Sequence, residues 1–248
     1  MGSRGQSEVL ATVILIAVVL VLAAVFIIIS MINFSKASAS TSLSLAESFM
    51  TNVADDLEAS MYNPGTTLVY PLPATQYGVF NFIGDYCNVT VGGVTYNSGA
   101  LIYGVPPGYN SLPSGYVQVV RGSLANGAYN AISESLIIEN AAAPLISIVQ
   151  FGASRVNGVS YGTYVVLFPR VLVINEASMA YVYIPVIKVV PSGLRSVLIV
   201  NVTGIYTYTI SGGAKVSVSD VCGSLSSSLF VSADTLRVVI VNVTMTFR

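Results

Sequence analysis

Hydrophobic and polar positions divide the chain into stretches of different period. Residues 9–32 would be apolar on every side of a helix, interrupted only by Thr12 and Ser30, with no charge, Gly or Pro. At 1.5 Å per residue, such a helix is long enough to cross a hydrocarbon core of about 30 Å. An ordinary secretory signal has an apolar core of about 7–15 residues closed by a small-residue cleavage site, and this run has neither feature. Residues 35–44 are small and polar. Apolar residues then recur at helical steps (Ala46, Phe49, Met50, Val53, Leu57 and Met61) opposite a stripe of Glu47, Thr51, Asp55 and Glu58. That spacing predicts an amphipathic helix over 43–61, stopped by Asn63-Pro64-Gly65. If 35–44 stays helical, 6–62 forms one rod, apolar all round in its first half and on one face in its second.

Beyond Pro64 the period changes to that of strands, with Val, Ile, Thr and Tyr in short runs between Gly, Pro and Asn. Strands are expected at 165–168, 171–174, 182–190, 197–202 and 236–246. Hairpin turns are expected at Gly92-Gly93, Gly212-Gly213, Asn126-Gly127 and Asn157-Gly158. The Tyr-, Gly-, Pro- and Asn-rich stretch 77–115 reads as long surface loops. No alternation of helix and strand follows, which argues against a parallel α/β fold. The expected class is α+β: a long N-terminal α-helix followed by an antiparallel β-sandwich head over 63–248, with an immunoglobulin-like plan as one form of it.

Composition narrows the partners. Of 248 residues 54% are hydrophobic and only 8% charged, against about 25% charged in ordinary globular chains. Net charge is −1 and no basic run occurs, so nucleic acid is not an expected partner. A surface so poor in charge suits a subunit that buries itself against its own copies, or one covered by glycans. Four Asn-x-Ser/Thr acceptors begin at Asn33, Asn88, Asn201 and Asn242, three of them reading Asn-Val-Thr. Cys87 and Cys222 could close a disulfide in an oxidising compartment or remain two buried thiols.

Candidate chemistry is sparse. Gly158-Val159-Ser160-Tyr161-Gly162 matches a serine-hydrolase nucleophile pattern, but the chain contains no His to act as base and the context is turn-rich β. Without His, and with two distant Cys, no zinc site is expected. Asp55, Asp56 and Glu58 read as a solvated helix face rather than a calcium site. Neither a cofactor nor catalysis is expected. Tyr96, Tyr103, Tyr109, Tyr116 and Tyr129 offer either an adhesive surface or subunit-interface residues.

Arg4 on the short N-terminal side places that end in the cytoplasm and exports the rest. Gln6-Ser7-Glu8 then sits directly against the apolar run, where a carboxylate is costly unless it has a purpose or caps the helix N-terminus. Ser3-Arg4-Gly5, then Gln6-Ser7-Glu8, then a helix opening Val9-Leu10-Ala11-Thr12-Val13, resembles the class III signal peptide of archaeal type IV pilins. The resemblance covers about the first thirty residues. It implies a leader at 1–5, cut by a prepilin peptidase between Gly5 and Gln6, and contact of Gln6, Ser7 and Glu8 with a neighbouring subunit or the assembly machinery. It also implies a helical homopolymer whose core includes Val9, Leu10, Val13, Ile14, Ile16, Leu20, Phe26 and Ile29. An assembly ATPase and a membrane platform protein would be partners, the cytoplasmic membrane the location before assembly, and adhesion from the cell surface the function. The rivals are an archaellum filament subunit, whose family usually opens Gly-Ile-Glu, and a membrane-anchored lectin or solute-capturing domain that never polymerises.

Overall fold

The computed structural model describes residues 3–122, 136–139, 142–176, 178–190, 196–220 and 226–248, with side chains from Leu10 onward. Its first element is a single helix, α1 (Ser3–Ser60), of 58 residues and about 87 Å. Neither Gly nor Pro occurs between Gln6 and Asn63, so nothing in the sequence breaks it. The Ser-rich middle stays helical. Its hydroxyls bond back to carbonyls one turn earlier, Ser35 Oγ to Met31 O at 2.9 Å and Thr41 Oγ1 to Ala37 O at 3.1 Å, without opening the backbone. Past Ser60 the chain turns through Gly65, whose φ of 94° lies in the region glycine tolerates.

The head contains fifteen strands among the described residues. They are β1 (Thr67–Pro71), β2 (Val79–Val91), β3 (Val94–Val105), β4 (Val117–Arg121), β5 (Ile137–Ile138), β6 (Ile146–Phe151), β7 (Ser154–Val156), β8 (Val159–Tyr161), β9 (Thr163–Pro169), β10 (Val171–Glu176), β11 (Met179–Val190), β12 (Val197–Ser211), β13 (Ala214–Asp220), β14 (Ser226–Val231) and β15 (Thr235–Phe247). One sheet runs β1-β12-β15-β11-β10-β5, the second β14-β13-β2-β3-β9-β6-β4, and β7-β8 stand apart as a hairpin. Pairing is antiparallel except for β11 with β15 and β5 with β10. This is the expected α+β class, a curled sandwich with more strands than the immunoglobulin plan.

Side-chain parity explains how one head serves two cores. Along β9 every residue is buried. Val165 and Leu167 meet α1, whereas Tyr164, Val166 and Phe168 face the opposite sheet. In β15 the parity switches. Leu236, Val238 and Ile240 belong to the core between the sheets, and Val241, Val243, Met245 and Phe247 pack with the helix on the other face. β6, β9 and the second half of β3 are therefore covered on both faces and run apolar, whereas β12 and β15 alternate buried with more exposed positions. The docked half of α1 contributes Ala39, Leu43, Ala46, Met50, Val53, Ala54 and Leu57, and Met61 follows just past its end, all buried. Burial of each large side chain in this set is worth about 1.5–3 kcal/mol, so the helix is fixed to the head by a margin on the order of 10 kcal/mol as an upper estimate.

Two expectations need correction. Gly212-Gly213 does not close a hairpin, because β12 lies in one sheet and β13 in the other; the pair is the crossing point, with Gly212 N donating to Asp234 O at 2.8 Å. Residues 77–115 are mostly β2 and β3 rather than surface loops. Their glycines mark close approach inside a sheet: a Cβ at Gly104 would strike the Tyr161 ring, and one at Gly99 would sit 2.8 Å from the Gly84 and Ile83 carbonyls. Gly92-Gly93 and Asn157-Gly158 do form hairpin turns, the latter with φ of 49° and 84°.

Candidate assembly surface on the N-terminal helix

From Leu10 to Phe34 every residue of α1 is exposed. Leu20, Val21 and Leu22 are consecutive and 62–65% exposed, and Ile27, Ile28 and Ile29 are 53–58% exposed, so no side of the helix is sheltered. Eighteen large apolar side chains stand bare in this segment, counting Leu, Ile, Val, Met and Phe. Keeping them in water forfeits on the order of tens of kcal/mol, more than the ~5–15 kcal/mol by which a domain is stable. The segment is therefore built for lipid or for other apolar helices. It is long and apolar enough to cross a membrane and lies near the N-terminus, as a membrane anchor or a signal sequence would. Shallow concavities run along it, one between Ala11, Ile14, Leu15, Val18 and Val19, another between Phe26, Met31 and Phe34. Alternating bulk and hollow is what a neighbouring helix needs to interdigitate.

Of the residues expected in the filament core, Leu10, Val13, Ile14, Ile16, Leu20, Phe26 and Ile29 all lie on this bare surface. The side chains of Gly5, Gln6, Ser7, Glu8 and Val9 lie outside the described residues.

A charged clamp joins the helix to the head where the apolar contacts end. Glu58 receives a bidentate bond from Arg121 of β4, Nη1 to Oε1 at 3.0 Å and Nη2 to Oε2 at 2.9 Å, and its Oε1 also accepts from Ile146 N. Arg121 Nε donates to Asp55 Oδ1 at 2.9 Å, and its Nη1 donates to Ile146 O. Burial works against the Arg121 charge, but the Glu58 and Asp55 carboxylates outweigh it and hold its pKa above the ordinary value. Arg170, only 1% exposed, donates to Pro144 O through Nε and Nη2. Desolvation pushes its pKa down to about 10, Glu58 opposing this shift and Arg121 adding to it.

The acidic stripe is solvated at Asp55 and Asp56, as expected, but not at Glu58. Glu58 is clamped, and Asp56 accepts from Tyr70 OH at 2.8 Å. Their Asp/Glu spacing on one helix face was the available signal, but the partners come from strands far along the chain.

The remaining candidates disperse. Asn33 lies on the exposed helix, and Asn88, Asn201 and Asn242 on β2, β12 and β15, each half-buried. The Asn201 Oδ1 atom is buried without a hydrogen-bond partner. Cys87 is buried in β2 opposite Asp220, while Cys222, Tyr129 and Asn126-Gly127 lie outside the described residues. Ser160 sits exposed in the β7-β8 hairpin, not on the strand-to-helix elbow that a nucleophile requires. Tyr103 is fully buried, Tyr96 bonds Tyr208, and Tyr116 bonds Gln118, so these tyrosines do not gather into one adhesive patch. No protein-family model matches the chain, and no curated protein or solved structure matches it.

Proposed function

We propose that the chain is a structural, non-catalytic subunit of a type IV pilin-like filament, polymerising through α1 and displaying its β head for surface adhesion. The observation that carries the reading is the division of one unbroken helix into a half docked on the head and a half bare on every side. Before assembly the bare half resides in the cytoplasmic membrane, with the head exported. Removal of residues 1–5 leaves Gln6 first and frees the subunit for extraction, and in the filament the same residues pack against copies of themselves. Lipid and neighbouring apolar helices are close to equivalent environments for such side chains, so the transfer is nearly isoenergetic and packing contacts decide it. The rigid docking of residues 39–61 keeps the head in fixed relation to the core, as a helical polymer requires.

Immunogold labelling of intact cells with antibody against the head tests this reading. Label running along thin filaments is the expected result. Label spread evenly over the envelope, with the chain extracted by detergent as monomer, would replace it with the membrane-anchored binding domain.

A further inference from the structure

Where the two sheets of the head diverge, they leave a cleft of about 770 Å³, within the range of small-ligand pockets. Its floor is apolar, Val186 and Ile240, and its rim carries Tyr96, Tyr206, Asn97, Asn242, Asp85 and Lys188. Irregularities in two strands shape it. The β2–β3 register shifts between Ile83 and Cys87, lifting Gly84 and Asp85 to one wall, and β12 shifts between Val202 and Gly204 beside Tyr206.

The aromatic groups are held in place. Tyr206 remains 60% exposed, yet its ring lies over Gly204, where a Cβ would come within 3.2 Å of Cε2. Tyr96 of one sheet is fixed across the cleft by its hydroxyl bond to Tyr208 of the other, at 3.0 Å. Asp85 and Lys188 form no ion pair among the described residues, so one acid and one base stand available at the rim.

From this geometry we infer that the cleft is a carbohydrate-binding site for an uncharged oligosaccharide. A flat, exposed tyrosine ring offers a stacking face to the C–H side of a pyranose, and the amides of Asn97 and Asn242 with Asp85 and Lys188 offer donors and acceptors to its hydroxyls. The rim charges cancel, which disfavours a polyanion. An extended peptide would need a free strand edge, and β3 and β15 are interior strands.

No residue of α1 lines the cleft, so helices that packed into a filament core would not consume its lining. Binding itself needs only the folded head, so its outcome is independent of whether the chain polymerises.

The test uses the full chain from a host that does not glycosylate Asn242, held in a detergent without a sugar headgroup and titrated with neutral hexasaccharides of glucose, mannose and N-acetylglucosamine. At least one is expected to bind with a Kd tighter than about 1 mM. Tyr206→Ala should weaken it by roughly tenfold and Tyr206→Phe should change it little, as stacking predicts. Asn97→Ala, at an exposed position, should weaken binding without moving the thermal midpoint, which separates loss of ligand contacts from loss of fold. The inference is overturned if none of the three binds, or if Tyr206→Ala and Asn97→Ala both bind as the parent does.

Discussion

At Glu58 two carboxylate oxygens serve a guanidinium and a backbone amide, whereas Asp55, with its side chain 59% exposed, meets the same Arg121 through Oδ1 alone and in reach of solvent. Removing the Glu58 charge leaves Arg121, 14% exposed, short of its main partner and Ile146 N short of a charged acceptor. Glu58→Gln is therefore expected to cost about 2–3 kcal/mol in denaturant unfolding of the detergent-held chain, and Asp55→Asn under about 1 kcal/mol. Equal costs for the two would show that the clamp is merely a surface pair. Glu47 makes a pH-dependent contribution of opposite kind. Desolvation raises its pKa above 4.5, so the folded chain holds this proton more tightly than the unfolded one. Stability then falls as pH rises from about 4.5 through the raised value, and the loss persists at neutral pH. Glu47→Gln should raise the thermal midpoint at pH 7 and leave it near the parent's below pH 4, a difference that midpoints measured across pH would reveal. Sequence alone exposes only one side of the clamp: Asp55 and Glu58 share a helix face by their spacing, but Arg121 lies 63 residues beyond Glu58 and no local pattern points to it.

At the scale of elements, legibility follows period. The helix can be read to its last turn because bulk and polarity repeat at helical steps and Asn63-Pro64-Gly65 forbids continuation. Strands β9, β10, β11 and β15 are legible as apolar runs, although β12 runs on past the expected 197–202 through its irregularity near Val202. What fails is inference from composition. Gly99 and Gly104 suggested loops, yet they are the places where a strand admits a carbonyl or a tyrosine ring. Gly212-Gly213 marks a turn correctly, but a turn motif cannot say which sheet receives the next strand. The docked half of α1 carries a direct prediction. Met50 is fully buried between helix and head, so Met50→Ala should lower unfolding stability by about 2–5 kcal/mol. Leu22→Ala, on the bare half, should leave the head's unfolding midpoint unchanged, because that residue touches nothing there. Thermal unfolding followed by near-ultraviolet circular dichroism would separate the two, and equal effects would contradict the division of the helix into docked and bare halves.

For the whole molecule, the division of labour follows from where apolar area is satisfied. The head closes two buried cores of its own, one of them with the docked half of α1, whereas the large apolar side chains of residues 10–34 stay exposed within one copy of the chain. A chain so arranged covers this apolar surface only in lipid or beside other apolar helices, and the proposed pilin-like processing would take it from the first state to the second. The proposal of that route rests on Ser3-Arg4-Gly5-Gln6-Ser7-Glu8 and the run behind it. The cleft was not legible, because its residues come from five strands of two sheets and meet only after folding. The most direct test is N-terminal peptide mass spectrometry on filaments sheared from the cell surface and washed free of membrane. The account predicts that this chain is a principal component of those filaments and begins at Gln6, in free or pyroglutamate form. A chain absent from the filaments, recovered only from detergent-extracted membrane and still carrying Ser3-Arg4-Gly5, would contradict it.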